Sequence, residues 1–175
     1  MNKNFSWFSR GILLSILIIF MEAPILGKPW DGIVPLKSTK ADVTSRLKRV
    51  ISKTPDRMEF KTLTGKVVIF FYTSGDAIRL GLNASVAGKV LAIYVYPAKP
   101  ATYNRQELAR KGLKVGHGWT IEREPMTSYD DGEQGISYHF KGDSNKIWRV
   151  VYYAPRAEFE RIKTGNPADE DDHSN

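Results

Sequence analysis

Residues 30–43 read Trp-Asp-Gly-Ile-Val-Pro-Leu-Lys-Ser-Thr-Lys-Ala-Asp-Val and mark the start of the folded domain. Thr39 and Asp42 have the spacing of a capping box, in which a hydroxyl and a carboxylate each accept a backbone N–H at a helix N-terminus. The sequence therefore predicts a helix that begins here and ends at Thr54, because a residue before proline disfavours the α region. The apolar residues that would form one stripe of this helix are Val43, Leu47, Val50 and Ile51.

The segment before this stretch has the layout of a secretory signal peptide. Lys3 and Arg10 give a positive start, and residues 11–21 form an apolar run with Ser15 as its one polar residue. A membrane-spanning helix needs about 20 apolar residues, which is longer than this run. We therefore predict a signal peptide over residues 1–27, export to the periplasm or the medium, and membrane attachment only where the signal stays uncleaved.

Composition sets limits on the mature chain. Its length suits one domain, predicted over residues 28–163, and residues 164–175 are polar and acidic enough to predict a disordered tail. The chain contains no cysteine, which excludes disulfides and thiolate chemistry. The whole chain has a net charge of +7, and residues 28–163 alone carry +10 because four acidic residues lie in the tail. A basic body of this kind favours anionic partners.

After the first helix, the apolar pattern changes from a helical period to strand-like alternation. We expect an α+β fold with a largely antiparallel sheet of about five or six strands and two or three short helices packed on one face. The predicted strands are 58–63, 66–73, 90–96, 119–124, 136–141 and 146–153. Further helices are predicted over 105–111 and 156–163, and loops over 74–88 and 125–135.

Two resemblances follow from these residues. The motif Trp30-x-Gly-Ile-x-Pro-Leu-x-Ser-Thr-x-x-Asp-Val43, taken with 135–138 and 150–155, resembles a family of small exported bacterial proteins to which no activity is assigned. The helix opening Ser-Thr-x-x-Asp-Val also resembles that of the SmpA/OmlA group, small lipoproteins that brace the outer-membrane protein assembly machine. That resemblance implies a protein-binding module without an active site. This chain differs from the group because it lacks the lipid-bearing cysteine.

Aromatic and basic side chains alternate along the predicted strands and form the candidate binding surface. We predict a non-enzymatic binding or scaffold module that contacts an envelope protein or an anionic polymer. Export argues against a nucleic-acid partner. The candidate partner-binding residues are Trp30, Tyr94, Tyr96, Trp148 and Arg149.

The alternative is a hydrolase that acts outside the cytoplasm through His117 or through Glu122 and Glu124. These two carboxylates lie two apart on a predicted strand and would face the same way, as paired acid–base groups require. No nucleophile elbow, phosphate loop or metal-ligand spacing is present, so we expect no catalytic residue, metal or cofactor. His139 is predicted to face solvent from a strand whose other side carries Ile136, Tyr138 and Phe140.

Overall fold

The computed structural model describes residues 28–120 and 122–163. The expected signal peptide and acidic tail lie outside these described residues. The elements follow in this order: α1 Lys40–Arg46, β1 Val50–Lys53, β2 Arg57–Thr62, β3 Gly65–Phe71, α2 Ser74–Arg79, a 3-10 helix Ala84–Val86, β4 Val90–Pro97, α3 Arg105–Arg110, β5 Lys114–Trp119, β6 Pro125–Asp131, β7 Ile136–Lys141, β8 Ile147–Tyr153 and α4 Arg156–Lys163.

The strands form one antiparallel sheet in the order β1-β2-β3-β4-β8-β7-β6-β5. Each half of the chain therefore contributes a helix followed by a four-stranded meander, and the last strands of the two halves pair at the centre. The central ladder places Ile93 opposite Tyr152 and Val95 opposite Val150. Because opposed residues in antiparallel strands point to the same side, this ladder aligns the apolar faces of both halves.

Helices α1 and α3 pack on the same face of the sheet, which we call the helix face. Val43 of α1 is fully buried in a cluster with Phe60, Ile69 and Ile93. Leu108 of α3 is buried over Tyr129 and Phe140 in the other half. A third cluster lies where β3 and β8 end, and it is made of residues that include Tyr72, Ala77 and Ala154.

The predicted helix start at Thr39 is confirmed. The Thr39 hydroxyl accepts the N–H of Asp42, and the Asp42 carboxylate accepts the N–H of Thr39 at 2.7 Å, which completes the capping box. These bonds to Thr39 lower the pKa of Asp42. The predicted end of the helix is wrong, because α1 stops at Arg46 and Val50 and Ile51 lie exposed on β1. The carbonyl of Arg49 accepts the N–H of Lys61, so pairing with β2 takes this segment away from the helix.

The expected fold of five or six strands with two or three helices is wrong. Eight strands and four short α-helices lie within the described residues. β1 lies where the sequence predicts the end of the first helix, and β6 lies within the loop predicted over 125–135. β6 is polar, but strands on both sides satisfy its backbone, and Pro125 stands at its first position, where proline is tolerated.

Two further segments differ from the prediction. The strand expected over 119–124 lies earlier, as β5 Lys114–Trp119, because Gly116 and Gly118 conceal its strand pattern. The loop expected over 74–88 contains α2, whose Thr73 and Asp76 form a second capping box. The strands expected at 58–63, 66–73, 90–96, 136–141 and 146–153 agree with β2, β3, β4, β7 and β8 within a few residues, and α3 and α4 lie where helices were expected. None of the helices in the described ranges is long and apolar enough to cross a membrane.

The two halves share a close approach of glycine to backbone at the start of their third strands. A Cβ on Gly65 would overlap the carbonyl oxygen of Tyr96, and a Cβ on Gly135 would overlap that of Tyr153. Gly135 also has φ +65, in the left-handed region that disfavours a side chain. Both glycines let the third strand of each half lie against the end of the fourth.

We predict that Gly135→Ala lowers the free energy of unfolding by at least about 2 kcal/mol, because it adds both strain and overlap. Urea unfolding of the variant and the parent measures the change. Gly132→Ala in the same turn is the matched control, since a Cβ there meets no atom within 4 Å. Equal stabilities of the two variants would contradict the close approach of Gly135 to β8.

Candidate functional site

The side of the sheet opposite α1 and α3 carries a cluster of aromatic and basic residues. The register places Lys66 opposite Tyr96 and Arg149 opposite His139, while Tyr94 stands opposite Val151. We call this side the outer face and define it by Lys66, Tyr94, Tyr96, His139 and Arg149. It combines strands from both halves of the chain.

Arg149 is the centre of this cluster. Its guanidinium carbon lies 4.5 Å from the ring centroid of Tyr94 and 4.7 Å from that of Trp148, so the cation is stacked between two rings. Tyr96 lies further out at 5.9 Å and packs edge-on against Trp148. Cation–π contacts of this kind stabilise a guanidinium that has left bulk water.

An irregularity in β8 brings Trp148 and Arg149 into position. Phe140 pairs with Ile147, whereas His139 pairs with Arg149, so Trp148 is an extra residue in the ladder. A bulge of this kind redirects side chains from their regular alternation. Trp148 and Arg149 therefore both lie on the outer face, although neighbouring residues of a regular strand point to opposite sides.

Hydrogen bonds fix the orientation of Arg149. Its Nη2 donates to His139 Nδ1 at 2.9 Å, and its Nη1 donates to the Tyr96 hydroxyl at 3.4 Å. Because His139 Nδ1 accepts, the neutral imidazole carries its proton on Nε2, which lies 2.9 Å from Ser137 Oγ. Burial and then the Arg149 charge lower the pKa of His139 to about 4.

Arg149 keeps one unused donor. Its Nε is buried without a hydrogen-bond partner among the described residues. A buried donor left unpaired costs about 1–3 kcal/mol.

Among the positive residues near the outer face, Lys141 has ion-pair partners, whereas Lys66 and Arg149 have none within the described residues. Lys141 is engaged by Glu124 at 2.6 Å and by Glu122 at 3.8 Å, and the pKa of Lys141 is raised, chiefly by the Glu124 hydrogen bond. No ion pair among the described residues involves Lys66 or Arg149. Lys66 is exposed and lies 4.9 Å from the Tyr96 ring centroid.

The structure brings together four of the five predicted partner-binding residues. Tyr94, Tyr96, Trp148 and Arg149 share the outer face. Trp30 lies elsewhere, because it packs against the buried cluster beneath α1 on the helix face. It also lines an open groove of about 700 Å³ with Arg46 and Leu63.

The residues of the alternative hydrolase do not form a common site. His117 is opposite Thr127, which is opposite Phe140, so it points to the helix face. Glu122 and Glu124 follow β5 in an exposed turn and both engage Lys141, whose place beside Met126 is on the outer face. The two carboxylates share a lysine, and neither lines the cavity beside His117.

No group of three His, Asp or Glu side chains within residues 28–120 and 122–163 is arranged to hold a metal ion.

Sequence reasoning missed His139 and Lys66 as members of the cluster. His139 was expected to face solvent, and it is half-buried with both ring nitrogens hydrogen-bonded. The prediction that His139 points to the side opposite Tyr138 and Phe140 is correct. The neighbouring strand and its Arg149 are long-range contacts that alternation cannot supply.

Comparison of the chain with protein-family models, with curated proteins and with solved structures gives no match. The two resemblances noted from the motifs therefore stay predictions.

We predict that His139 titrates near pH 4 in the folded protein and that Arg149→Met raises this pKa. The rise stops short of 6.5, the ordinary value, because burial still disfavours the charged ring. Imidazole resonances followed by NMR across the pH range measure both values. A parent pKa near 6.5, or no change in the variant, would contradict the contact between the two groups.

The same shift makes stability depend on pH. The folded pKa lies below the unfolded value, so the unfolded chain binds the proton more tightly between pH 6.5 and 4. The contribution of neutral His139 is therefore complete above pH 6.5 and is lost as the pH falls to about 4. His139→Gln is the control and should flatten this part of the profile.

Proposed function

We propose that this chain is an exported, non-enzymatic binding module that contacts an acidic protein partner through its outer face. Export is inferred from the apolar run after Lys3 and Arg10 in the sequence. The observation that carries the binding function is the convergence of Tyr94, Tyr96 and Trp148 around Arg149.

The composition of the cluster supports protein recognition. Tyr, Trp and Arg dominate the binding energy of protein interfaces because they combine large apolar area with polar groups. Here the rings are already packed against one another, and Arg149 is held by His139 and Tyr96. Binding would therefore order few additional side chains, which reduces the entropic cost of association.

Charge supports an acidic partner. Lys66 and Arg149 stand beside half-buried aromatic rings, and neither has a carboxylate of this chain as ion-pair partner within the described ranges. A carboxylate of the partner would gain a charged hydrogen bond there, and the positive body would steer its approach.

We predict that Lys66→Glu weakens capture of envelope proteins about tenfold, because it reverses an exposed charge on the outer face beside Tyr96. The immobilised protein is incubated with envelope extract, and the retained proteins are quantified by mass spectrometry. Salt at about 1 M, where the Debye length falls to about 3 Å, should release the same proteins.

Lys53→Glu is the matched control. This substitution makes the same charge change on the same sheet. The pairing of Lys53 with Met58 places Lys53 on the helix face instead of the outer face. Proteins retained equally by both variants would contradict docking on the outer face. Retention of acidic glycans alone would replace the protein partner with a polyanion.

A further inference from the structure

The two edges of the sheet differ in how they are protected from pairing with another strand. β1 is four residues long, has an irregular register between Val50 and Ser52, and follows Lys48 and Arg49. Short length, bulges and lysine side chains are features that prevent an edge strand from pairing with another chain. β5 at the other edge is six residues long, pairs with β6 in unbroken register and carries Lys114 as its one Lys or Arg.

The outward backbone groups of β5 can be assigned from the bonds around it. The N–H of Thr120 donates to the carbonyl of Glu124 at 2.9 Å, towards β6. Backbone direction alternates along a strand, so Lys114, Gly116 and Gly118 also point towards β6. The N–H and C=O groups of Val115, His117 and Trp119 therefore point away from the sheet.

Two of these three residues expose apolar surface at this edge. Val115 is 44% exposed, and Trp119 is 71% exposed. Val115 lies on the helix face, because it stands opposite the buried Tyr129. Trp119 is four residues further along the same strand, so its side chain points to the same side. A partner strand would have to satisfy the outward backbone groups and cover these two side chains together.

We propose that a second copy of this chain pairs with β5, strand against antiparallel strand, around a twofold axis at His117. In this register Val115 lies opposite Trp119 of the second copy, and His117 lies opposite its own equivalent. All three outward residues then form hydrogen-bonded pairs with the second copy. Val115 and Trp119 lie two residues on either side of His117, so the edge is complementary to itself under the twofold rotation.

Side chains favour this register. Each Val115 meets a Trp119 of the second copy, and β-branched residues opposite aromatic residues stabilise antiparallel pairs. Gly116 meets Gly118 on the outer face, where neither adds a clash. Lys114 lies opposite Thr120 of the second copy, so the pairing brings no two lysines face to face despite the positive net charge of the chain.

The twofold axis runs perpendicular to the sheet, so it extends the sheet to sixteen strands, twice the eight of one copy. Both outer faces then lie on the same side. The inference does not depend on partner binding by the outer face, since a dimer forms whether or not that face has a partner.

A single cysteine tests the register, because the natural chain contains none. In the full chain, His117→Cys places two thiols across the axis with Cα atoms about 5.5 Å apart, within the disulfide range of about 4.4–6.8 Å. Mild oxidation should convert most of this variant to a covalent dimer on a non-reducing gel. Trp119→Cys is the matched control, since its two copies lie roughly 14 Å apart in this register and should stay uncrosslinked.

Sedimentation equilibrium tests the association itself. The natural chain should show a dimer that dissociates on dilution. His117→Pro removes one outward N–H per copy, at an edge position where proline is tolerated, and should shift the dissociation constant upward by at least about tenfold. His117→Val keeps the N–H and should stay dimeric. A natural chain that sediments as a monomer at all concentrations, or equal crosslinking of the two cysteine variants, would overturn the proposal.

Discussion

The pairing of β4 with β8 is the contact on which the rest of the structure depends. In the described sheet it is the one ladder between the two helix-and-meander halves, with Ile93 opposite Tyr152 and Val95 opposite Val150. Ile93 is fully buried there beneath α1. Each half taken alone would leave this apolar edge in water, so the halves stabilise each other through the seam.

The same seam assembles the candidate site. Tyr94 and Tyr96 belong to β4 of the first half, and Trp148 and Arg149 belong to β8 of the second. The guanidinium of Arg149 reaches the Tyr94 ring at 4.5 Å only because the two strands are neighbours. Neither half contains the whole cluster, which makes the candidate site a property of the joined sheet.

Local chemistry made parts of the fold predictable from sequence, and long-range pairing limited the rest. The capping box at Thr39 and the hairpin that ends in β8 follow from short-range patterns, so both were predicted correctly. β6 was missed because its polar sequence is stabilised by strands on both sides, and α2 was missed although Thr73 and Asp76 repeat the capping signal of α1.

The site shows the same division. Tyr94, Tyr96, Trp148 and Arg149 were predicted from the interleaving of rings and charges, and they share one face. Trp30 was predicted to bind a partner as part of the 30–43 motif, but it packs against the core beneath α1. His139 was missed, because its role arises from Arg149 on the neighbouring strand, ten residues along the chain.

Native-state hydrogen exchange across the seam tests the account most directly, because amide protection reports which elements open together. If the two halves depend on this pairing, the amides shared by β4 and β8 exchange only through global unfolding, with equal opening free energies in both strands. A half containing β5 to β8 that exchanges at lower free energy while β1 to β4 stay protected would contradict it.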